Sequence, residues 1–214
     1  MKSKYSNFVV VDVETGGLPS KDKRAVYDIA LTEVAFVAIS QELKITDKLA
    51  WLIRPYAENL IYTKQAEEAS GISRAMVAEQ GMTIEGAVKE MVAFLKKQRD
   101  GNVLPVLLGH NFAKFDAEFM VNAFDLCKED LFKYVNATSE DTIEWARLCW
   151  TESTNYKLGT CAERAGVTLV NAHRAMADTV ATAEMWIYFM RNLRGLNGSA
   201  AQAVTKRFRE SFQL

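Results

Sequence analysis

The clearest hydrophobic pattern in the chain is a run of valines near its start that two acids interrupt. Residues 8–13 consist of a phenylalanine, four valines and Asp12. Such a run is typical of a strand that is buried on both faces in a central sheet. Because side chains alternate along a strand, Asp12 and Glu14 are expected to point to the same side. The pair of glycines at positions 16 and 17 ends the strand.

Two apolar segments that follow predict antiparallel neighbours for this strand. Residues 26–39 fit a helix or a strand, but their β-branched side chains and the turn at residues 40–41 favour a strand. Residues 43–53 are then its antiparallel partner. The chain is therefore expected to open with a three-stranded meander.

Helices and short strands alternate over the rest of the chain. Helices are predicted at residues 62–70, 73–80, 140–150, 157–165 and 175–193, with a further amphipathic helix starting after Thr83. Residues 103–108 form a second apolar strand, a helix carrying three phenylalanines follows it, and residues 134–137 form a last strand. This order predicts one α/β domain over residues 1–194 and a helical C-terminal tail over residues 195–214.

Composition narrows the class of protein. The chain has 214 residues, of which 49% are hydrophobic, and this suits one domain with a sizeable core. A formal net charge of −1 does not suggest wide non-specific duplex binding, but it is compatible with an enzyme that grips a chain end. The three cysteines lack metal-type spacing, which indicates a reducing compartment and a cytoplasmic location. No signal peptide or membrane span is recognised, so no membrane association is expected.

Several acidic residues lie at or just after the ends of the predicted apolar strands. Two like charges at a buried strand end need a cation or hydrogen-bond donors, and oxygen ligands suit Mg²⁺ or Mn²⁺ better than zinc. For Asp12 and Glu14 the alternative is a solvated strand end. Asp116 lies about one turn into the helix after the second apolar strand, where an acid can also simply complement the helix dipole.

The last candidate pair is His173 and Asp178. Asp178 falls in the first turn of the predicted helix 175–193, among small and apolar residues, and His173 lies on the loop before it. Both side chains can then face one point. The alternative for His173 is a hydrogen-bonded structural histidine.

Three segments carrying these residues resemble, in order, the motifs of the DEDDh group of 3′–5′ exonucleases. This group includes polymerase proofreading exonucleases, oligoribonuclease and ribonuclease T. The segments are residues 11–18, 109–116 and 171–178. The variant of the group with a catalytic tyrosine places it four residues before the last acid. That position holds Arg174 here, and His173 lies five residues before the acid, so the histidine branch fits.

The resemblance implies a ribonuclease H-like fold, with a five-stranded mixed sheet flanked by helices. It also implies that four acids hold two Mg²⁺ or Mn²⁺ ions and that His173 deprotonates the attacking water. The four acids are Asp12, Glu14, Asp116 and Asp178.

The resemblance further suggests how a chain end is bound. The backbone at Thr15 and Gly16 would contact a terminal 3′-hydroxyl, and Leu18 would wedge against the last base. Phe115 would line the nucleotide pocket, although plain core packing is its alternative role. The expected reaction is hydrolysis at 3′ ends of single-stranded DNA, or less favoured short RNA, releasing 5′-mononucleotides. The alternatives are a proofreading or repair subunit that acts with a polymerase, and a catalytically weak module that binds nucleic-acid ends.

Overall fold

The computed structural model describes residues 7–19, 26–170 and 172–195, which build a five-stranded sheet with helices on both faces. The strands are Phe8–Thr15 (β1), Leu31–Ile39 (β2), Ile45–Leu52 (β3), Val106–Gly109 (β4) and Ser139–Asp141 (β5). Across the sheet they follow the order β3-β2-β1-β4-β5. The first three form an antiparallel meander, whereas β4 pairs in parallel with both β1 and β5. The predicted meander and mixed five-stranded sheet are confirmed.

Seven α-helices are present in the described part of the chain. They are Lys64–Ser70 (α1), Arg74–Gln80 (α2), Ile84–Lys97 (α3), Asp116–Leu126 (α4), Thr142–Cys149 (α5), Leu158–Arg164 (α6) and Ala175–Leu193 (α7). Thr63, Ser73 and Thr83 cap the first three, each accepting a backbone N–H from three residues further on. Among these helices, none combines the length and the apolar character that crossing a bilayer requires.

The alternation of β1 divides the core into two clusters, one on each face of the sheet. Val9, Val11 and Val13 pack with α3 and α4 in one cluster. Phe8 and Val10 pack in the other, which includes residues of α5, α6 and α7. Since Asp12 and Glu14 continue the same alternation as Phe8 and Val10, they point to the face that α7 covers. The alternation of side chains along β1 is therefore sufficient to point both carboxylates towards α7.

Some predicted boundaries are wrong. Residues 134–137 are not a strand; the last strand is Ser139–Asp141, and Val135 is instead buried in the first core cluster. Residues 112–114 form a single 3-10 turn, so that Asp116 is the first residue of α4 and not one turn inside it. The predicted helical tail lies outside the described residues, apart from Gly195, and stays a prediction.

Candidate active site

Three carboxylates converge at the carboxyl end of β1. One oxygen from each of Asp12, Glu14 and Asp178 lies within 4.8 Å of the other two. The strand supplies two of them because positions 12 and 14 share a face, and α7 brings Asp178 in its first turn. The structure thus unites three of the four acids that the sequence singled out.

Asp116 reaches the same region from the opposite side of β1. Its Oδ1 accepts a hydrogen bond of 3.0 Å from the backbone N–H of Val13, and only 4% of the residue is exposed. Parallel pairing between β1 and β4 ends at Val10. Beyond that point the carboxylate of Asp116, not a neighbouring strand, accepts the hydrogen bond of the Val13 N–H. Asp116 is therefore adjacent to the cluster of three acids without being within its 4.8 Å limit.

Burial makes the charged form of every one of these acids costly. Burial, followed by repulsion from Asp178 and Glu33, raises the pKa of Glu14 to about 8. Burial likewise raises the pKa of Asp116 to about 7, although the Val13 N–H opposes the shift. The pKa of Asp12 is raised well above its usual range, first by burial and then by the charge of Asp116. The protein itself therefore leaves much of this negative charge uncompensated.

Asp178 carries the observation that best fits a bound cation. Burial raises its pKa, while the N–H of His173, which donates to Oδ2 at 3.1 Å, opposes the shift. Its other oxygen, Oδ1, is buried and has no hydrogen-bond partner among the described residues. A buried oxygen without a partner is costly unless a ligand satisfies it. An orphaned oxygen among several carboxylates fits a hard divalent cation.

His173 lies on the loop directly before α7, as predicted. Its backbone adopts φ of 67°, in the left-handed region that side chains other than glycine seldom adopt. The residue is exposed, and its N–H holds the carboxylate of Asp178. The structure thus places a solvent-accessible histidine next to one of the clustered acids.

Glu33 of β2, which none of the three motifs contains, also belongs to this region. Glu33 is 4% exposed and pairs with Arg174, the residue after His173. The signal was present in the sequence, because Glu33 is the only charged residue in the otherwise uncharged strand 31–39. Buried acids of this kind are rare unless they are paired.

His110, the other histidine, has a structural role. Its Nδ1 lies 2.9 Å from Thr142 Oγ1, and its Nε2 lies 2.8 Å from the carbonyl oxygen of Tyr156. Burial lowers its pKa, which favours the neutral imidazole. This side chain ties the end of β4 to α5 and to the segment before α6.

The glycine turn after β1 is held by backbone contacts with neighbouring segments. The Gly16 N–H donates to the Ala30 oxygen at 2.7 Å, and the Gly16 oxygen accepts from the Thr63 N–H at 2.6 Å. A Cβ at position 16 would lie 2.2 Å from the Ile61 oxygen. The backbone of Gly16 is therefore engaged within the protein and leaves no room for a side chain, and its contact with a terminal 3′-hydroxyl stays a prediction.

The other predicted substrate residues differ in exposure. Thr15 is buried and donates its hydroxyl to the Gly17 oxygen at 2.6 Å. Leu18 is 71% exposed, which suits a side chain that meets a base. Phe115 is half-buried, and its ring centroid lies 5.1 Å from that of Phe119. Their contacts with a substrate stay predictions.

Comparison with known proteins finds exonucleases among the relatives of this chain. Residues 9–186 match the RNase_T family model, which is described as exonuclease. A PolC-type DNA polymerase III from Caldanaerobacter subterraneus subsp. tengcongensis is 30% identical over 187 residues, covering 87% of this chain but 12% of that protein. Ribonuclease T from Photobacterium profundum is 25% identical over 209 residues and covers 92% of this chain and 89% of its own length.

A solved structure shares the fold. Exonuclease I from E. coli, in complex with a dA16 oligonucleotide, superposes with a TM-score of 0.73 at 20% identity. The match covers 87% of this chain and 41% of that protein. The predicted ribonuclease H-like arrangement, with its mixed sheet between layers of helices, is confirmed by this likeness.

Proposed function

The chain belongs to the RNase_T family of exonucleases, and from this premise we propose that it removes nucleotides stepwise from 3′ ends of single-stranded nucleic acid. The observation that carries the proposal is the convergence of Asp12, Glu14 and Asp178 within 4.8 Å. The family match bears out the resemblance to DEDDh 3′–5′ exonucleases that the three motifs predicted.

The acids would hold two Mg²⁺ or Mn²⁺ ions. Asp12 lies within 4.8 Å of Glu14 and Asp178, and the charge of Asp116 also raises its pKa, so we assign it to both ions. Glu14 and Asp178 would complete one site, and Asp116, whose Oδ1 is already bonded to Val13, would contribute to the other. When bound, such ions make water more acidic and neutralise charge on the attacking and leaving oxygens.

His173 would accept the proton of the attacking water. Histidine is the side chain whose ordinary pKa lies nearest to neutral pH, which suits a general base. Its exposed position on the loop before α7 leaves the imidazole open to a water and a substrate phosphate. Asp178 keeps this loop in place through the N–H of His173.

Leu18 and Phe115 would bind the terminal nucleotide. Apolar and aromatic side chains stack on any base, so we expect little sequence preference. A duplex end would first have to be unpaired, at a cost of a few kcal/mol. Because the net charge of the chain is −1, little general attraction to nucleic acid offsets that cost. We therefore propose single strands as substrates, with DNA favoured over short RNA.

The test uses DNA and RNA oligonucleotides of one sequence, labelled at the 5′ end, with Mg²⁺ or Mn²⁺. A descending ladder and release of 5′-mononucleotides are expected, and a 3′-phosphate should block the reaction. Asp12→Asn, which keeps the size of the side chain, is the matched control and should be inactive. Immediate release of labelled mononucleotide, or cleavage of a circular strand, would contradict the proposal. Binding without degradation would instead identify a module that recognises ends.

A proofreading role with a polymerase is the second candidate, because the PolC-type polymerase aligns with 87% of this chain. The chain spans 12% of the length of that relative, so any polymerase would be a separate partner or a further part of a longer protein. Faster removal of a mismatched than of a paired 3′ nucleotide from a primer–template would support this role. Equal rates would speak against it.

Two broader predictions accompany the proposal. We assign residues 1–194 to the exonuclease domain, within which the matched residues 9–186 fall, and residues 195–214 to a tail. We also infer a cytoplasmic location, since Cys127, Cys149 and Cys161 are free thiols in the described structure. Localisation of a tagged full chain would test the second inference.

A further inference from the structure

Glu33 poses an electrostatic problem beside the acidic cluster. In the antiparallel pairing of β1 and β2 it lies directly opposite Glu14, so the two carboxylates share one face of the sheet. Like charges in this arrangement repel, and the charge of Glu33 contributes to the raised pKa of both Asp12 and Glu14. A buried carboxylate at this position needs a partner of its own.

Arg174 supplies that partner with a two-pronged contact. Its Nε donates to Glu33 Oε2 at 3.2 Å, and its Nη2 donates to Glu33 Oε1 at 2.8 Å. The backbone N–H of Ala175, the first residue of α7, donates to the same Oε2 at 3.0 Å. Glu33 thus neutralises an arginine and satisfies one of the N–H groups that a helix leaves open at its N-terminus.

These contacts fix the backbone on one side of His173. Arg174 follows the histidine directly, and Ala175 follows Arg174. The other constraint is the bond from the His173 N–H to Asp178, the fourth residue of α7. Between these two constraints, His173 is held at a positive φ of 67° that an unrestrained histidine seldom adopts.

We propose that Glu33 and Arg174 are positioning residues for His173, an inference that rests on the proposed function of His173 as the general base. The pair acts through the backbone of the loop: it sets where the imidazole stands relative to the attacking water. Small displacements of a reacting group lower rates steeply, by about 10²-fold for a shift of 1 Å. The pair also keeps the charge of Glu33 engaged, so that it does not compete with Glu14 for a cation.

Two other roles for Arg174 make different predictions. If the guanidinium contacts the phosphate of the substrate, its loss raises KM whether or not His173 is present. If the ion pair only stabilises the fold, its loss lowers Tm but leaves kcat of the folded protein unchanged. A positioning role lowers kcat, and does so only while His173 is there to be positioned.

The deciding experiment is a double-mutant cycle on the full chain, with a labelled single-stranded oligonucleotide and saturating Mn²⁺. Arg174→Ala should lower kcat by about 10²-fold in the otherwise unchanged chain and less than about twofold in a His173→Ala background. Equal losses in the two backgrounds would overturn the proposal. So would an Mn²⁺ affinity that falls with the Arg174 substitution, because the pair would then act on the metal-binding acids.

Conservative variants distinguish the effect of the two-pronged hydrogen bonding between Arg174 and Glu33 from the effect of their charges. Arg174→Lys keeps the charge but loses the two-pronged contact, and Glu33→Gln keeps an oxygen for the Ala175 N–H. Both are expected to fold and to retain an intermediate kcat with an unchanged KM. The matched control is Lys97→Ala, which removes the ion pair of 2.7 Å between Lys97 and Asp47 outside this region and should leave kcat unchanged. If both conservative variants keep full kcat, the pair does not position the base.

A measurement without substrate keeps this inference separate from the proposed function. Amide hydrogen exchange of His173 should accelerate in Arg174→Lys and Glu33→Gln, because the loop loses one of its two constraints. In Lys97→Ala it should stay slow. A wild-type chain that degrades no nucleic acid would overturn the proposed function. Unchanged amide exchange of His173 in both variants would instead overturn the proposal that Glu33 and Arg174 position His173.

Discussion

Replacing Glu14 by glutamine should stabilise the metal-free protein, and by more at higher pH. The new amide side chain would have nearly the size of the glutamate but could not ionise. In the folded chain burial and neighbouring acids hold the pKa of Glu14 at about 8, against 4.5 for the unperturbed group. The folded state therefore keeps a proton that the unfolded state releases between these two pH values.

The sign and size of the effect follow from proton linkage. Because the folded pKa is the higher one, the stability is fully present below about pH 4.5 and is lost as the pH rises towards about 8. One pKa unit corresponds to about 1.4 kcal/mol, so wild type should lose about 3 kcal/mol by pH 7 through this group. That is a considerable share of the roughly 5–15 kcal/mol that is typical of a domain.

Urea unfolding in the presence of a chelator measures this difference. Between pH 5 and pH 7 the advantage of Glu14→Gln over wild type should grow by about 2–3 kcal/mol. Glu79→Gln, the same change at an exposed position of α2, should give no such growth. With Mn²⁺ in excess wild type should regain stability, whereas the variant should regain less. If the difference in free energy of unfolding between Glu14→Gln and wild type stays constant with pH, Glu14 does not have the raised pKa on which this reasoning depends.

The remaining predictions concern the other site residues and the turn beside them. Asp12→Ala should abolish turnover with saturating Mg²⁺ while the protein stays folded; substantial residual activity would exclude the two-ion assignment. His173→Ala should lower kcat by about 10²–10⁴-fold, and calorimetry should find Mn²⁺ affinity nearly unchanged, since we do not make it a ligand. Gly16→Ala should lower the free energy of unfolding by about 2 kcal/mol or more, because its Cβ would lie 2.2 Å from the Ile61 oxygen. Gly159→Ala, which meets no atom within 4 Å in α6, is its control in the same denaturation assay and should be neutral or stabilising.

The sequence predicted the elements whose side chains carry a strong pattern. The valine run defined β1 because both faces of that strand are buried, and the same alternation put Asp12 and Glu14 on one face. The helix 175–193 is confirmed to the residue, since its apolar side chains fill the second core cluster. These are places where local sequence and tertiary packing make the same demand.

Elements held by backbone pairing alone could not be predicted in this way. β5 consists of Ser139, Glu140 and Asp141, and it pairs with β4 at the edge of the sheet without any apolar signal. Tyr134 and Val135 gave a false strand signal because they pack against the core from a turn. The partnership of Glu33 with Arg174 was equally out of reach, since it joins residues 141 positions apart.

The hydrogen bond between the Val13 N–H and Asp116 also makes the backbone a spectroscopic reporter. An amide that donates to a carboxylate changes its resonance when that carboxylate is protonated or shares its electrons with a cation. Val13 would report on Asp116 in this way, and the His173 amide, bonded to the other end of the cluster, would report on Asp178. In a titration with Mg²⁺, nitrogen-labelled protein could therefore reveal the order in which two sides of one acidic cluster fill, with no probe attached and no substrate present.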